Sequence, residues 1–354
     1  MRGLILSGGR GTRLRPLTYT QAKQLVPVAN KPVLFYGIEA LCKAGIRDIG
    51  IVVGDTRDEI RRAVGDGSRW GIKATYIEQD KPLGLAHAVK IAEDFLRKEP
   101  FVMYLGDNIL KSGITSLVDK FQKKKPNALI LLTEVPNPEI FGVAELKEGR
   151  IVQLVEKPKN PRSNLALVGV YMFDENIFEA VSAIKPSWRD ELEITDAIQY
   201  LVDNGKNVIP HLVTGWWKDT GKLDDILEAN HLILSGIRSD IQGRIDKTSR
   251  ITGEVILEKG AEVSGGIIRG PVIIGENTQI IHSYIGPFTS IQRNCRIVKT
   301  EIENSIVLEG SEIQDVGSRI DESLIGREVK IRRGPENPQV YRFMVGDKSE
   351  IGIK

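Results

Sequence analysis

Only two cysteines occur in the 354 residues, Cys42 and Cys295, far apart and with no paired or metal-binding spacing around them. That excludes a disulfide scaffold and fits a reducing, cytoplasmic compartment. No stretch approaches the roughly 20 apolar residues of a membrane-crossing helix. The apolar start, Met1 to Ser7, is too short for a secretory leader and runs at once into glycines, so an intracellular, soluble protein is expected. A charge excess is missing too: 49 Lys and Arg against 47 Asp and Glu leave +2. A nucleic-acid or membrane-surface binder would carry a basic surplus on one domain. None of the four histidines sits in a catalytic pattern, and no Ser/His/Asp or Cys/His arrangement appears. What is present, 41% hydrophobic and 27% charged residues, is ordinary globular composition with length for two domains.

The two domains follow different patterns. Up to about Gly236, short apolar runs alternate with helical patterns: Leu4-Ile5-Leu6, a helix from Pro32 to Gly45, then Ile49 to Val53, and so on to Ala128 to Val135. Strands separated by helices imply a Rossmann-like α/β domain with a mostly parallel sheet, and ligands beyond the carboxyl ends of its strands. After about Arg244 apolar residues recur every six positions: Ile245, Ile251, Leu257, Val263; then Ile268, Ile274, Ile280; then Ile285, Ile291, Ile297. That period fits neither helix nor hairpin and marks a left-handed parallel β-helix of hexapeptide repeats. The expected boundaries are 1–238 and 239–354, with an irregular cap or tail from Pro335. Apolar residues outside the series (Val255, Ile267, Ile273, Ile306) lead to the expectation of a homo-oligomer assembled through the repeats, which would add nothing to an active site.

The chemistry concentrates upstream. The first strand runs into Ser7-Gly8-Gly9-Arg10-Gly11-Thr12-Arg13-Leu14-Arg15-Pro16. Glycines there let backbone amides approach a phosphate chain, and Arg13 offers a fork of donors. The loop lacks the Gly-Lys-Ser/Thr ending of the P-loop and the spacing of the dinucleotide fingerprint. Lys23-Gln24-Leu25-Val26-Pro27-Val28 and Asn30-Lys31-Pro32 follow closely.

Those three blocks resemble the signature of the sugar-phosphate nucleotidylyltransferases, and the Lys-Gln-Leu version is similar to the glucose-1-phosphate thymidylyltransferases. Further motifs recur in order: Gln79 with Gly84-Leu85-Ala86, Leu105-Gly106-Asp107-Asn108, Phe141-Gly142-Val143, Glu156-Lys157-Pro158, Gly169-Val170-Tyr171, Glu191 to Asp196, and Trp217-Lys218-Asp219-Thr220-Gly221. The match spans residues 1 to about 235, and the repeats resemble the long form of the family.

The resemblance implies the following roles. Gly8, Gly11, Thr12 and Arg13 hold the nucleotide phosphates, with Arg13 on the departing pyrophosphate and Lys23 at the attacked phosphate, and Gly9 and Gln24 also belong to the nucleotide site. Gln79 and Gly84 read the base. Asp107 and Asp219 hold Mg²⁺. Glu156 meets glucose hydroxyls, Lys157 and Arg189 the sugar phosphate, and Gly142 and Val168 supply backbone contacts to the ring. Trp217 fits equally a wall of the sugar site or the core. Substrates would be glucose-1-phosphate and dTTP, with UTP as the near alternative, and with neither nucleic acid nor membrane as a partner. One departure is Phe141, where the family often has tyrosine and hence a hydroxyl contact. Two rival readings remain. An acetyltransferase in the repeats would have only His282 as its histidine. A non-catalytic regulatory subunit is disfavoured because Arg13, Lys23, Asp107, Lys157 and Asp219 are all present.

Overall fold

Runs such as Leu4-Ile5-Leu6 and Ile51-Val52-Val53 have no polar face, so they are stable as strands only where both faces of a sheet are covered. In the computed structural model, which describes residues 1–9 and 11–334, they lie at the centre of a sheet. Strands Lys73–Glu78, Asp48–Val53, Arg2–Ser7 and Phe101–Leu105 are neighbours in that order and all parallel. Side chains alternate: Leu4, Leu6 and Val52 enter one apolar cluster, Ile5, Ile51 and Val53 the other. Helices Val33–Lys43, Arg57–Val64, Leu85–Ile91, Thr115–Lys124, Asn176–Ala183 and Ile194–Asp203 belong to the same unit and supply most of the cover. The stretch from Gly84 to Leu96 forms two helices, Leu85–Ile91 and Glu93–Leu96, interrupted at Ala92.

Beyond Phe101–Leu105 the sheet changes character. Leu165–Phe173 pairs antiparallel with it and with Ala128–Glu134, and the hairpin Gly142–Lys147 with Arg150–Glu156 completes that edge. Only Glu148 and Gly149 join the hairpin strands, both at positive φ, too short a link for a parallel crossover. The sheet is therefore mixed, with a parallel half and a mainly antiparallel half, to which Val208–Leu212 adds a parallel strand beside Ala128–Glu134.

The chain divides by contact density into two units. One comprises Met1–Gly11, Gln21–Leu25 and Val33–Asp219; the other comprises Thr12–Thr20, Val26–Pro32 and Thr220–Lys354. Two stretches of the amino-terminal signature thus belong with the repeats rather than with the sheet, and Thr12 and Arg13 go with them.

In the second unit the repeats form three sheets of short parallel strands, each strand from Val255–Leu257 up to Glu312–Gln314 pairing with the one three before it, and the last two, Leu324–Ile325 and Lys330–Arg332, with the one two before. Val263 pairs with Ile280 and Ile280 with Ile297, so one coil takes seventeen residues, consistent with a left-handed parallel β-helix. The six-residue series reads correctly within each triplet, and a five-residue step between triplets (Val263 to Ile268, Ile280 to Ile285) closes the coil. Leu257, Val263, Ile268, Ile274, Ile280, Ile285, Ile291 and Ile297 are its buried core. Helix Leu223–Leu234 lies in this unit, and its Asn230, fully buried, joins three pieces. Its Oδ1 accepts from the Ala29 amide and the Ser290 hydroxyl, each at 2.9 Å, and its Nδ2 donates to the Phe288 carbonyl at 2.9 Å. Ala29 and Asn30 both have positive φ at the tip of the Pro27–Val28 and Lys31–Pro32 hairpin, and Asn30 Nδ2 donates to the Ile291 carbonyl at 2.8 Å.

The apolar residues outside the six-residue series need a corrected reading. Val255 sits in the solenoid core, and Ile273 and Ile306 are also buried within the single chain. Ser290, in register between Ile273 and Ile306, is bonded to Asn230 of the helix. Of the four, Ile267 alone is exposed, so three of the side chains offered for self-association are already covered. The expected tail from Pro335 lies outside the described residues.

Candidate active site

In the first unit, loops gather where the parallel strands end. The Gly106 amide donates to the Leu6 carbonyl at 2.9 Å, and a β-carbon on Gly54 would come 3.0 Å from the Gly8 carbonyl oxygen. Such closeness requires glycine and leaves backbone where side chains would otherwise block approach. Around these glycines stand two amides. A β-carbon on Gly9 would lie 3.8 Å from Gln24 Nε2, and one on Gly8 would lie 3.1 Å from Gln79 Oε1. Gly84, at φ +102°, has no room for a side chain because the Leu192 carbonyl packs against it.

Lys23 and Asp107 form a tight ion pair, both side chains largely buried. Burial alone would push the Asp107 carboxyl up. The Lys23 ammonium, with hydrogen bonds from Lys23 and Asn108, outweighs it and holds the carboxyl below the ordinary carboxylate range. Asn108 Nδ2 donates to Asp107 Oδ1 at 2.9 Å, while Asn108 Oδ1 accepts from the Trp217 indole at 2.6 Å and the Gly169 amide at 3.3 Å. Strand Trp217–Asp219 pairs antiparallel with Asn108–Leu110, putting Asp219 opposite Asn108. Two residues a hundred positions apart are thereby neighbours in a two-stranded ribbon. Among the described residues no group of three or more His, Cys, Asp or Glu side chains gathers into a metal cage. The donor set is nevertheless the kind a hard divalent cation takes: two carboxylates, one of them held ionised.

A second charged cluster surrounds Glu156. Its Oε1 lies 3.7 Å from Lys157 Nζ and 3.7 Å from Arg189, and Thr195 Oγ1 donates to Oε2 at 3.4 Å. Arg189 is also held by Glu191 at 2.9 Å and Glu193 at 3.2 Å, so it is neither solvated nor a simple helix-start residue. Burial first, then Glu193, push the Glu156 carboxyl up, only partly offset by Lys157, Arg189 and Thr195. A β-carbon on Gly142 would meet Thr195 at 2.7 Å and Glu156 Oε2 at 2.9 Å, which explains the glycine. Val168 is fully buried beside Gly169, where Leu165–Phe173 shifts register. Phe141 packs edge-on against Trp217, with ring centres 5.5 Å apart, in the place where tyrosine is common in the family.

The structure thus brings together Lys23, Asp107 and Asp219, separately Gly8, Gly9, Gln24, Gln79 and Gly84, and separately Gly142, Glu156, Lys157 and Arg189, while Val168 is buried next to Gly169. Gly11 ends the first segment of the same unit, whereas Thr12 and Arg13, in a short 3₁₀ turn Thr12–Leu14, belong to the second unit. Sequence reasoning missed Asn108 as the residue that ties Asp107 to Trp217. The signal was available, since a half-buried indole N–H demands a partner. It also missed Glu193, 3% exposed, whose only sign was its place in the Glu191 to Asp196 motif.

The geometry finds company among known proteins. Residues 2–236 match the family model described as nucleotidyl transferase, and the chain belongs to that family. Within it, the chain is similar end to end to glucose-1-phosphate thymidylyltransferases. It is 53% identical to the one from Streptomyces griseus over all of this chain and 99% of that one. The Streptomyces antibioticus enzyme is also 53% identical, over the full length of both. A crystal structure from Bacillus anthracis assigned as a glucose-1-phosphate thymidylyltransferase superposes with TM-score 0.63 at 36% identity, covering 68% of this chain and 97% of that one. No helix of the described residues is long and apolar enough to cross a membrane.

Proposed function

We propose that this chain transfers a deoxythymidylyl group from dTTP to glucose-1-phosphate, releasing pyrophosphate and forming dTDP-glucose. The observation that carries the reading is the full-length match, at 53% identity, to two relatives of that name. A phosphate oxygen of glucose-1-phosphate attacks the α-phosphorus of the nucleotide, one P–O bond forms and the bond to pyrophosphate breaks. The sugar phosphate is already an anion, so no general base is needed, and the protein's task is orientation and charge neutralisation.

In this reading Gly8, Gly9, Gly11, Thr12 and Arg13 hold the triphosphate, with Gln24 behind the glycines. Lys23 neutralises the attacked phosphate, and Gln79 and Gly84 meet the base. Glu156 accepts hydrogen bonds from glucose hydroxyls, Lys157 and Arg189 hold its phosphate, and Gly142 and Val168 offer backbone to the ring. Asp107 and Asp219 would hold Mg²⁺, which when bound supplies a template and a Lewis acid for the phosphate oxygens. Residues 1–238 act as the catalytic domain in this account and 239–354 as the repeat domain. A homo-oligomer through the repeats now rests on Ile241, Ile245 and Ile267, the exposed isoleucines among its described residues. A cytoplasmic setting follows from the substrates.

Pyrophosphate release over four nucleoside triphosphates and several sugar-1-phosphates tests the reading. The highest kcat/KM is expected for dTTP with glucose-1-phosphate and the next for UTP. A higher value for a purine nucleotide or another sugar phosphate would refute it.

A further inference from the structure

His87 lies on helix Leu85–Ile91, and its Nδ1 is 3.0 Å from Gln79 Nε2. Which group donates there is decided by a third atom. The Gly84 carbonyl oxygen, 3.4 Å from the same Gln79 nitrogen, can only accept. The amide NH₂ must therefore face Gly84 and His87, and His87 Nδ1 must be the unprotonated ring nitrogen. Both amide hydrogens are then used, and Gln79 Oε1 is left on the Gly8 side, 3.1 Å from where a β-carbon on Gly8 would be. Burial, then Lys90, lower the affinity of the imidazole for a proton, which favours the neutral acceptor form.

We infer that His87 is a positioning residue for nucleotide choice: by accepting from Gln79, it locks the glutamine so that an acceptor oxygen faces the base. The inference rests on the reading of Gln79 as the base contact. Thymine and uracil carry a donor at N3–H, whereas cytosine carries an acceptor there. A locked Oε1 accepts from the first two and repels the third. Without His87 only the longer bond to the Gly84 carbonyl, 3.4 Å, holds the NH₂ in place, so the amide turns end for end more readily and offers NH₂ to cytosine N3.

The test is steady-state pyrophosphate release with dTTP, UTP and dCTP for the full-length protein and three variants: His87→Leu, His87→Asn and Gln79→Ala. Asn is the conservative variant, since its Oδ1 can accept where Nδ1 did. His87→Leu is expected to raise the dTTP and UTP KM about tenfold, the worth of one well-placed hydrogen bond, and to narrow the dTTP-over-dCTP preference by a similar factor. The KM for glucose-1-phosphate should stay within about twofold, and His87→Asn should recover most of the loss, because only the acceptor is needed. If Gln79→Ala raises the nucleotide KM while His87→Leu leaves KM and base preference unchanged, the positioning role is overturned with the glutamine reading intact. An equal rise for both substrates that Asn does not rescue means general damage to the helix, and also overturns it. If Gln79→Ala leaves the nucleotide KM unchanged, the base-contact reading fails and the inference fails with it.

Discussion

The repeats and the sheet unit both bury polar side chains, but of different kinds. In the repeats the buried polar groups are hydroxyls: Thr278, Ser283, Thr289, Ser290, Thr300, Ser305 and Ser311. Several share one task. Thr278 accepts the Cys295 amide, Ser283 the Thr300 amide, Ser305 the Ser323 amide and Ser311 the Val329 amide, at 3.1–3.2 Å. Each bond links one coil to the next, where the corner leaves an amide outside the strand ladder. The sheet unit buries neutral side chains too, Ser7, Gln21, Gln24, Asn108 and Thr195, but adds largely buried ions, Lys23 with Asp107 and Glu156 with Arg189 and Glu193. Hydroxyls repeated at fixed spacing satisfy backbone and add stability. Clustered ions are costly to desolvate and are hard to justify by stability alone. One unit is built for regularity and the other keeps its charge where an anionic substrate would use it.

The contrast is broken most sharply at Asp107. Asp107→Asn keeps the shape and removes the charge opposite Lys23. Turnover should fall by about a hundredfold or more, because a carboxylate suited to the cation is gone. Stability should fall as well, since a largely buried lysine loses its counter-ion. Pyrophosphate release and urea titration of the same sample measure both. Near-normal turnover would remove Asp107 from the chemistry.

Asn230 is where the second unit departs from its own rule, with a buried amide in place of a hydroxyl. Asn230→Leu leaves the Ala29 amide, the Ser290 hydroxyl and the Phe288 carbonyl without that partner. The expected loss is about 3 kcal/mol, at roughly 1 kcal/mol per bond. Urea unfolding measures it, and a change under about 0.5 kcal/mol, the usual size for surface substitutions, would show the network to be incidental.

How much of this was readable from sequence depended on how local the cause was. The repeats were legible because each inward isoleucine reports its own place in the coil, although the five-residue step between triplets went unnoticed. The parallel strands were legible from apolar runs such as Phe101 to Leu105. The antiparallel half was not, because pairing of Leu165–Phe173 with Phe101–Leu105 is decided by tertiary context. Nor was the sorting of Thr12–Thr20 and Val26–Pro32 into the repeat-bearing unit, since a loop's packing partner leaves no trace in its own residues. At the site, the motifs brought Lys23, Asp107, Glu156 and Arg189 into view. The Asn108 bond to Trp217 and the ring of carboxylates on Arg189 needed the fold.

Ser283 tests one link of the repeat ladder. Ser283→Ala removes the acceptor for the Thr300 amide and the donor to the Ile281 carbonyl, 3.2 and 2.8 Å away. A loss of about 1–2 kcal/mol is expected, because a buried N–H is left unpaired, with no change in pyrophosphate release. A loss of turnover at unchanged stability would contradict the division of labour between the units.

Glu156 gives the smallest effect, and one of opposite sign. Its carboxyl is pushed up first by burial and then by Glu193, so ionising it costs folding free energy that a neutral isostere would not. Glu156→Gln should therefore raise the melting temperature at neutral pH by about 2–4 °C, what roughly 1 kcal/mol does for a unit of this size. The sign of the pH dependence follows from the raised value. In the wild type the destabilisation is full above the folded pKa and is relieved as pH falls through it toward the ordinary 4.5 of an unfolded glutamate. The gap between the two melting curves should close over that acid range and stay open above it. Meanwhile the KM for glucose-1-phosphate should rise at neutral pH, because an amide replaces a charged acceptor for sugar hydroxyls, and the nucleotide KM should stay put. Scanning calorimetry from neutral to acid pH, with kinetics at neutral pH, separates the outcomes. A variant less stable than wild type at neutral pH would mean that Lys157 and Arg189 more than offset the burial of Glu156. The charge would then be structural rather than held against stability for a substrate.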